Sequence, residues 1–334
     1  MTAVARTSRF TMARSGRPNP SLALLLPILC VLSLLPFLAA AASAQSTPSP
    51  ADDAAALVRR AVANHIAAEA AHPPQRFILH KKDDRHDYTQ EIIETHQGDI
   101  AFAIAANGVP LNPQMHQAQI DRLNTLDTNP DLQEHRRKRE AEDNARVNKL
   151  MRMLPDAFLY HYDALVPCVV TTPPDVAIPG APSAPPAPMP APPPNGVPGA
   201  SQCYHLTFKP NPDWSPTDTE AKILRGMAGE VWIETSQERL TRLTAHLITD
   251  VDFGWGIIGH LDKGGTIFLE QSETSPHDWE LTRMRLSLTG KALLVKALNI
   301  HLTEDMGHYS PVAPNLDYHQ AIQILESERP QPGK

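Results

Sequence analysis

Leu243, Ala245 and Leu247 alternate with Arg242, Thr244 and His246, and Met284, Leu286 and Leu288 alternate with Arg283, Arg285 and Ser287. A period of two puts one set on the dry face of a sheet and the other in water. Runs of this kind recur through the C-terminal half: GEVWIET, RLTRLTAHLITDV, GTIFLEQ, WELTRMRLSLT and ALLVKALNIHL. They follow one another with no room for helices between them, which predicts antiparallel pairing. Further upstream, RFILHKK, YTQEIIETHQ and GDIAFAIAANG read as three more strands, with Gly98 and Asn107-Gly108 at the turns. AFLYHYDALV and CYHLTFKP read as a further pair.

Helical periodicity occupies the remaining segments. Residues 51–72 are Ala-rich, carry Leu57, Val58, Ala61, Val62, Ile66 and Ala70 near one face, and stop at Pro73-Pro74. A second helix starts at Asn112 with Pro113 in its first position. A third, heavily charged in its first half, is expected from near Asp131 to Pro155. Its HRRKR run is bracketed by Glu134, Glu140, Glu142 and Asp143, so ion pairs along a solvated face explain it. LDYHQAIQILES closes the chain as a short amphipathic helix. The class is α+β.

The N-terminus changes the picture from fold to compartment. Arg6, Arg9, Arg14 and Arg17 precede an apolar run from Leu22 to about Ala42, followed by Ala42-Ser43-Ala44. A basic leader, an apolar core and a small-residue site predict a signal peptide over 1–44 and a periplasmic or secreted protein cleaved near Ala44. The chain has 30 basic and 37 acidic residues, and losing the four leader arginines takes the net charge from −7 to about −11. That balance does not suggest a nucleic-acid partner. Only Cys168 and Cys203 then remain, and an exported chain favours their disulfide. They bracket a Pro-rich stretch, 169–202, with almost nothing to bury, expected to be a disordered loop within a single α+β domain over 45–330.

The chemistry is harder to find. DFGWGIIGHLDKGG contains Gly254-x-Gly256-x-x-Gly259, the spacing of a dinucleotide fingerprint. That motif needs a helix leaving it, and here HLDKGG is followed by the strand-like TIFLEQ. A nucleotide cofactor is therefore not expected. The glycines read instead as an apolar sheet-edge connection or the lip of a cavity. The 15 histidines fall into no metal-ligand spacing, and no nucleophile motif is present, so neither metal, cofactor nor catalytic residue is assigned.

GMAGEVWIETSQERLTRLTAHLITDVDFGWGIIGHLDKGGTIFLEQ, with LPDAFLYHYD and NGVPLNP, resembles an uncharacterised family of exported bacterial proteins. More distantly, the order of elements and the strand Gly229-Glu230-Val231-Trp232-Ile233-Glu234 resemble the LolA and LolB type of lipoprotein-carrier fold. That resemblance implies a strongly curved antiparallel sheet, an incomplete barrel, covered by helices, with a cavity for acyl chains. The charged helix and the Pro-rich loop depart from the carrier pattern.

The functional expectation is a non-enzymatic binding protein that carries or senses a lipid, a lipoprotein acyl chain or another hydrophobic ligand. Phe253, Trp255, Ile257 and Ile258 would form the rim, and Leu243, Leu247, Ile267 and Leu269 the wall. The alternative is an envelope interaction protein with a filled core and a protein partner. A hydrolase with dispersed catalytic residues is a third.

Overall fold

The computed structural model describes residues 53–168, 176–178, 201–216, 218, 220–253, 259–275, 278–292 and 296–328. The expected signal peptide and most of the Pro-rich stretch lie outside these residues.

Local chemistry sets the helix boundaries. Helix α1 (Ala54–Ala71) is capped by Asp53, whose Oδ1 accepts from the Ala56 N–H at 2.8 Å. Helix α2 (Pro113–Thr128) is capped in the same way by Asn112, and α3 (Pro130–Ala157) by Asn129. Pro155 does not end α3, which continues to Ala157. Asn211 secures the extra residues, donating from its backbone N–H to the Ala157 carbonyl and from Nδ2 to that of Asp156. A proline in the final turn removes one ladder bond, and those contacts offset the loss. The ion pairs expected along α3 are present as Arg136–Glu140, Arg137–Glu134 and Arg146–Asp143.

The strands are β1 (Gln75–Asp83), β2 (Asp87–Ile93), β3 (Ile100–Ala106), β4 (Val109–Pro110), β5 (Phe158–Pro167), β6 (Gln202–Pro210), β7 (Met227–Glu234), β8 (Arg239–Leu247), β9 (Val251–Phe253), β10 (Gly259–Leu261), β11 (Thr266–Ser275), β12 (Asp278–Ala292) and β13 (Lys296–Pro311). They form one 13-stranded sheet in the order β4-β3-β2-β1-β13-β12-β11-β8-β7-β6-β5, with β10 beside β12 and β9 beside β10. The paired strands are antiparallel throughout, and the sheet is not closed into a barrel.

The expected long strand from Arg239 to Val251 is broken after Leu247: Ile248 N–H still donates to the Gly226 carbonyl in register with β7, and the chain resumes as β9 at Val251, paired with β10. The segment after Gly259 is a strand, β10, not a helix. Gly290 of β12 is required there, because a Cβ on it would stand 2.0 Å from the His260 carbonyl oxygen. Cys168 and Cys203 form a disulfide at the end of the β5–β6 ladder, with Cα atoms 4.9 Å apart.

Helix cover is partial and two-sided. Helix α1 and the end of α3 pack on Leu206, Val231 and Ile233. Residues opposed in register share a face, which continues that surface from Val231 through Leu243, Leu269 and Met284 to Glu304 and Lys81. Leu79 lies on the same side as Lys81 and clusters with Phe77, Ile92 and Met306. Ile93, next to Ile92 and so facing the other way, packs with Ile100 and Phe102 against α2 and the C-terminal helix α4 (Tyr318–Glu328). Helices thus sit on opposite faces at the two ends of the sheet.

Candidate functional site

The expected wall residues lie on the α1 face. Leu243 opposes Leu269, and Ile267 opposes Ala245. Leu247 is buried in a cluster with Ala245, Leu261 and Leu288, and Leu243, Ile267 and Phe253 pack around it. The row continues through Leu286 and Leu302, opposite Ile267 and each other. Leu243, Ile267, Leu269, Met284, Leu286 and Leu302 all remain half-buried, whereas Val231 and Ile233 beside α1 are buried. The rim residues Trp255, Ile257 and Ile258 fall outside the described residues.

A second assembly lies at the C-terminal end of α1, and it is polar. His65 and Glu69 stand at i and i+4 on one side of α1, and His72 is the residue just past its last turn. Asp278 and Glu280 stand at i and i+2 on β12. His72 Nδ1 lies 3.1 Å from Asp278 Oδ1, and Nε2 lies 2.6 Å from Glu280 Oε1. The side chains of His72, Asp278 and Glu280 are 13%, 24% and 13% exposed. Asp278 Oδ2 accepts from Gln75 Nε2 and Ser275 Oγ, both at 3.3 Å. Arg239 is buried beside the group, and its Nη2 donates to the Trp279 carbonyl at 3.4 Å.

Each titratable group here responds to burial and to its neighbours. Burial pushes His72 down, but Glu280, then Asp278 and Glu94, outweigh it, and the net shift is upward. Burial, reinforced by the Arg239 charge, pushes His65 down to about 4. Its Nδ1 faces the Gln271 amide at 3.4 Å. Burial also lowers Arg239, against the pull of Glu69, Glu280 and Asp278. Tyr309 donates to the Leu281 carbonyl at 2.6 Å, and burial together with the nearby Glu280, Glu94 and Glu69 charges holds its phenol well above the usual value. The ensemble can hold a proton between two carboxylates, or present one nitrogen and two oxygens to a cation.

No known protein family, curated protein or solved structure matches this chain. Function therefore has to be argued from the two assemblies alone.

Two other charged clusters fit structural roles. Glu270, 2% exposed, is held between Arg242 and Arg283, and Arg242 also stacks over Trp232 and Phe268. Asp99 and Glu140 meet near Gly98, and burial raises both carboxyls. A cavity of about 350 Å³ touches Leu286 and Leu302 of the apolar row and is otherwise lined by polar side chains, among them Thr266, Arg285, Ser287, His301 and Thr303. Register places those five on the face opposite the apolar row.

Sequence spacing could not reveal the polar assembly, because His72 comes from one end of the chain and Asp278 and Glu280 from the other. The available local signals were the helical spacing of His65, Glu69 and His72 and the Asp-x-Glu step on a strand.

Proposed function

We propose that this chain is an exported, non-enzymatic protein that binds a single acyl chain along the α1 face of its sheet, in the manner of an incomplete barrel. The observation that supports this is the half-buried row Leu243, Ile267, Leu269, Met284, Leu286 and Leu302, which crosses four strands with no polar side chain among these six. It runs out onto Glu304 and Lys81, an ion pair at 2.6 Å on the same face. An apolar stripe with a polar terminus matches an amphiphile: burial of the tail drives binding at about 25 cal/mol per Å², and the polar end orients the head group. The disulfide fits an oxidising compartment, and among the described residues no helix is long and apolar enough to cross a membrane.

Native mass spectrometry of the purified protein with added palmitate tests this reading. A stoichiometric adduct that Leu269→Asp loses, while the variant stays folded, is the expected result. A clean apo mass at saturating fatty acid would refute it.

The alternative, an interaction protein with a filled core, is favoured by the edge strand β5, where Leu159 and Leu165 are 45% and 52% exposed. A partner strand could pair there.

A further inference from the structure

We propose that His72, Asp278 and Glu280 bind one divalent transition-metal cation of the zinc class where the end of α1 meets β12. A ring nitrogen of His72 and one oxygen from each carboxylate lie within 4.8 Å of one another. Ligands at about 2.0–2.2 Å from a shared ion stand roughly 3–3.5 Å apart. Modest side-chain rotation closes that difference.

The backbone fixes the three donors. His72 is extended, with φ −60° and ψ 131°, as a residue before proline must be, and Pro73-Pro74 hold it there. Asp278 and Glu280 project from the same side of a sheet strand. Gln75 and Ser275 hold one oxygen of Asp278 and leave the other toward His72, the outer-shell support that metal-binding carboxylates typically have.

The contact between His72 and Glu280 brings a ring nitrogen and a carboxylate oxygen to 2.6 Å as an ion pair, and a cation bound there would take the place of the shared proton. The local charge agrees, because Glu69, Glu94, Asp278 and Glu280 surround the site, with Arg239 the cation opposing them. An imidazole in the set selects zinc-class ions over calcium or magnesium, which prefer oxygen ligands. Water would complete a four-coordinate shell.

Purified protein stripped with a chelator is titrated calorimetrically with Zn²⁺, and thermal unfolding is followed with and without the ion. Binding of one equivalent with a rise in Tm is expected. Asp278→Asn and Glu280→Gln, which keep side-chain shape, should each weaken binding at least tenfold. His260, half-buried between Asp252 and Asp262, is the competing donor, and His260→Ala should leave the tight equivalent unchanged.

No stoichiometric uptake by the wild-type chain overturns the proposal. So does uptake that both carboxylate variants retain, or tighter binding of Ca²⁺ than of Zn²⁺. Should a variant unfold, the X-ray absorption spectrum of the wild-type zinc protein decides. One imidazole with oxygen ligands is expected, and two or more imidazoles would refute the site.

Discussion

His65 couples acidity to stability through a single ring. Its folded value of about 4 lies below the ordinary 6.5, so the unfolded chain takes a proton that the folded chain refuses. The unfolded state therefore binds more protons between those values, and stability falls as pH drops from about 6.5 to about 4. The loss is at most about 3 kcal/mol, less where solvent screens the ring. His65→Gln removes this dependence, so the stability gap between wild type and variant should shift in favour of the variant on going from pH 7.5 to pH 4.5. Urea unfolding at the two pH values measures it, and identical pH slopes would mean that His65 is not held neutral. Asp99 works in the opposite sense. Burial, with Glu94 and Glu140 adding to it, raises its carboxyl, so the folded state keeps a proton that the unfolded state releases as pH rises past the ordinary carboxylate range.

The elements show which signals in a sequence are local. Caps, turns and period-two alternation are read from neighbouring residues, and α1, α2, β1, β3, β6 and β7 lie where that reading puts them, within a few residues. The failures share a cause in distant contacts. Pro155 marks a helix end by its own chemistry, but Asn211 carries α3 past it. RLTRLTAHLITDV reads as one strand, yet its first part pairs with β7 and β11 and its last residue, Val251, belongs to a separate strand paired with β10. The cysteines were legible from their number and the export expected from the N-terminal pattern, and their bond closes the β5–β6 hairpin over a separation of 35 residues. On the chain-entropy model that constraint contributes roughly 3.5–4 kcal/mol. Cys203→Ser should lower stability by that order and leave the β5–β6 ladder in place, as hydrogen exchange of the His205 and Thr207 amides would report. An unchanged Tm would show that the cross-link does not constrain the unfolded chain. The wall residues Leu243 and Ile267 were legible as one dry face, while the meeting of His72 with Asp278 and Glu280 was not, because it depends on where α1 crosses the sheet.

At the scale of the molecule, the last strand joins the first. Among the described residues, the N-terminal meander β1–β4 and the block β5–β12 are joined in the sheet by β13, which pairs with β1 from Gln75↔Pro311 to Asp83↔Leu302 and with β12 from Arg283↔Asp305 to Ala292↔Lys296. The meander also buries Ile93, Ile100 and Phe102 against α4, which follows β13. Neither its open edge nor that apolar face can be satisfied until the C-terminus has been made. Such long-range pairing raises the loop-closure cost and slows folding. Ending the chain at residue 295 removes β13 and α4 together. The expected product keeps a protected β5–β12 block but exposes β1–β4 to protease, with cleavage concentrated in residues 75–110. Limited proteolysis with mass mapping distinguishes this from uniform digestion, which would mean that the sheet folds as one unit. A protected N-terminal fragment would mean that β1–β4 and α2 are stable without β13, and that β13 joins two finished parts instead of completing either.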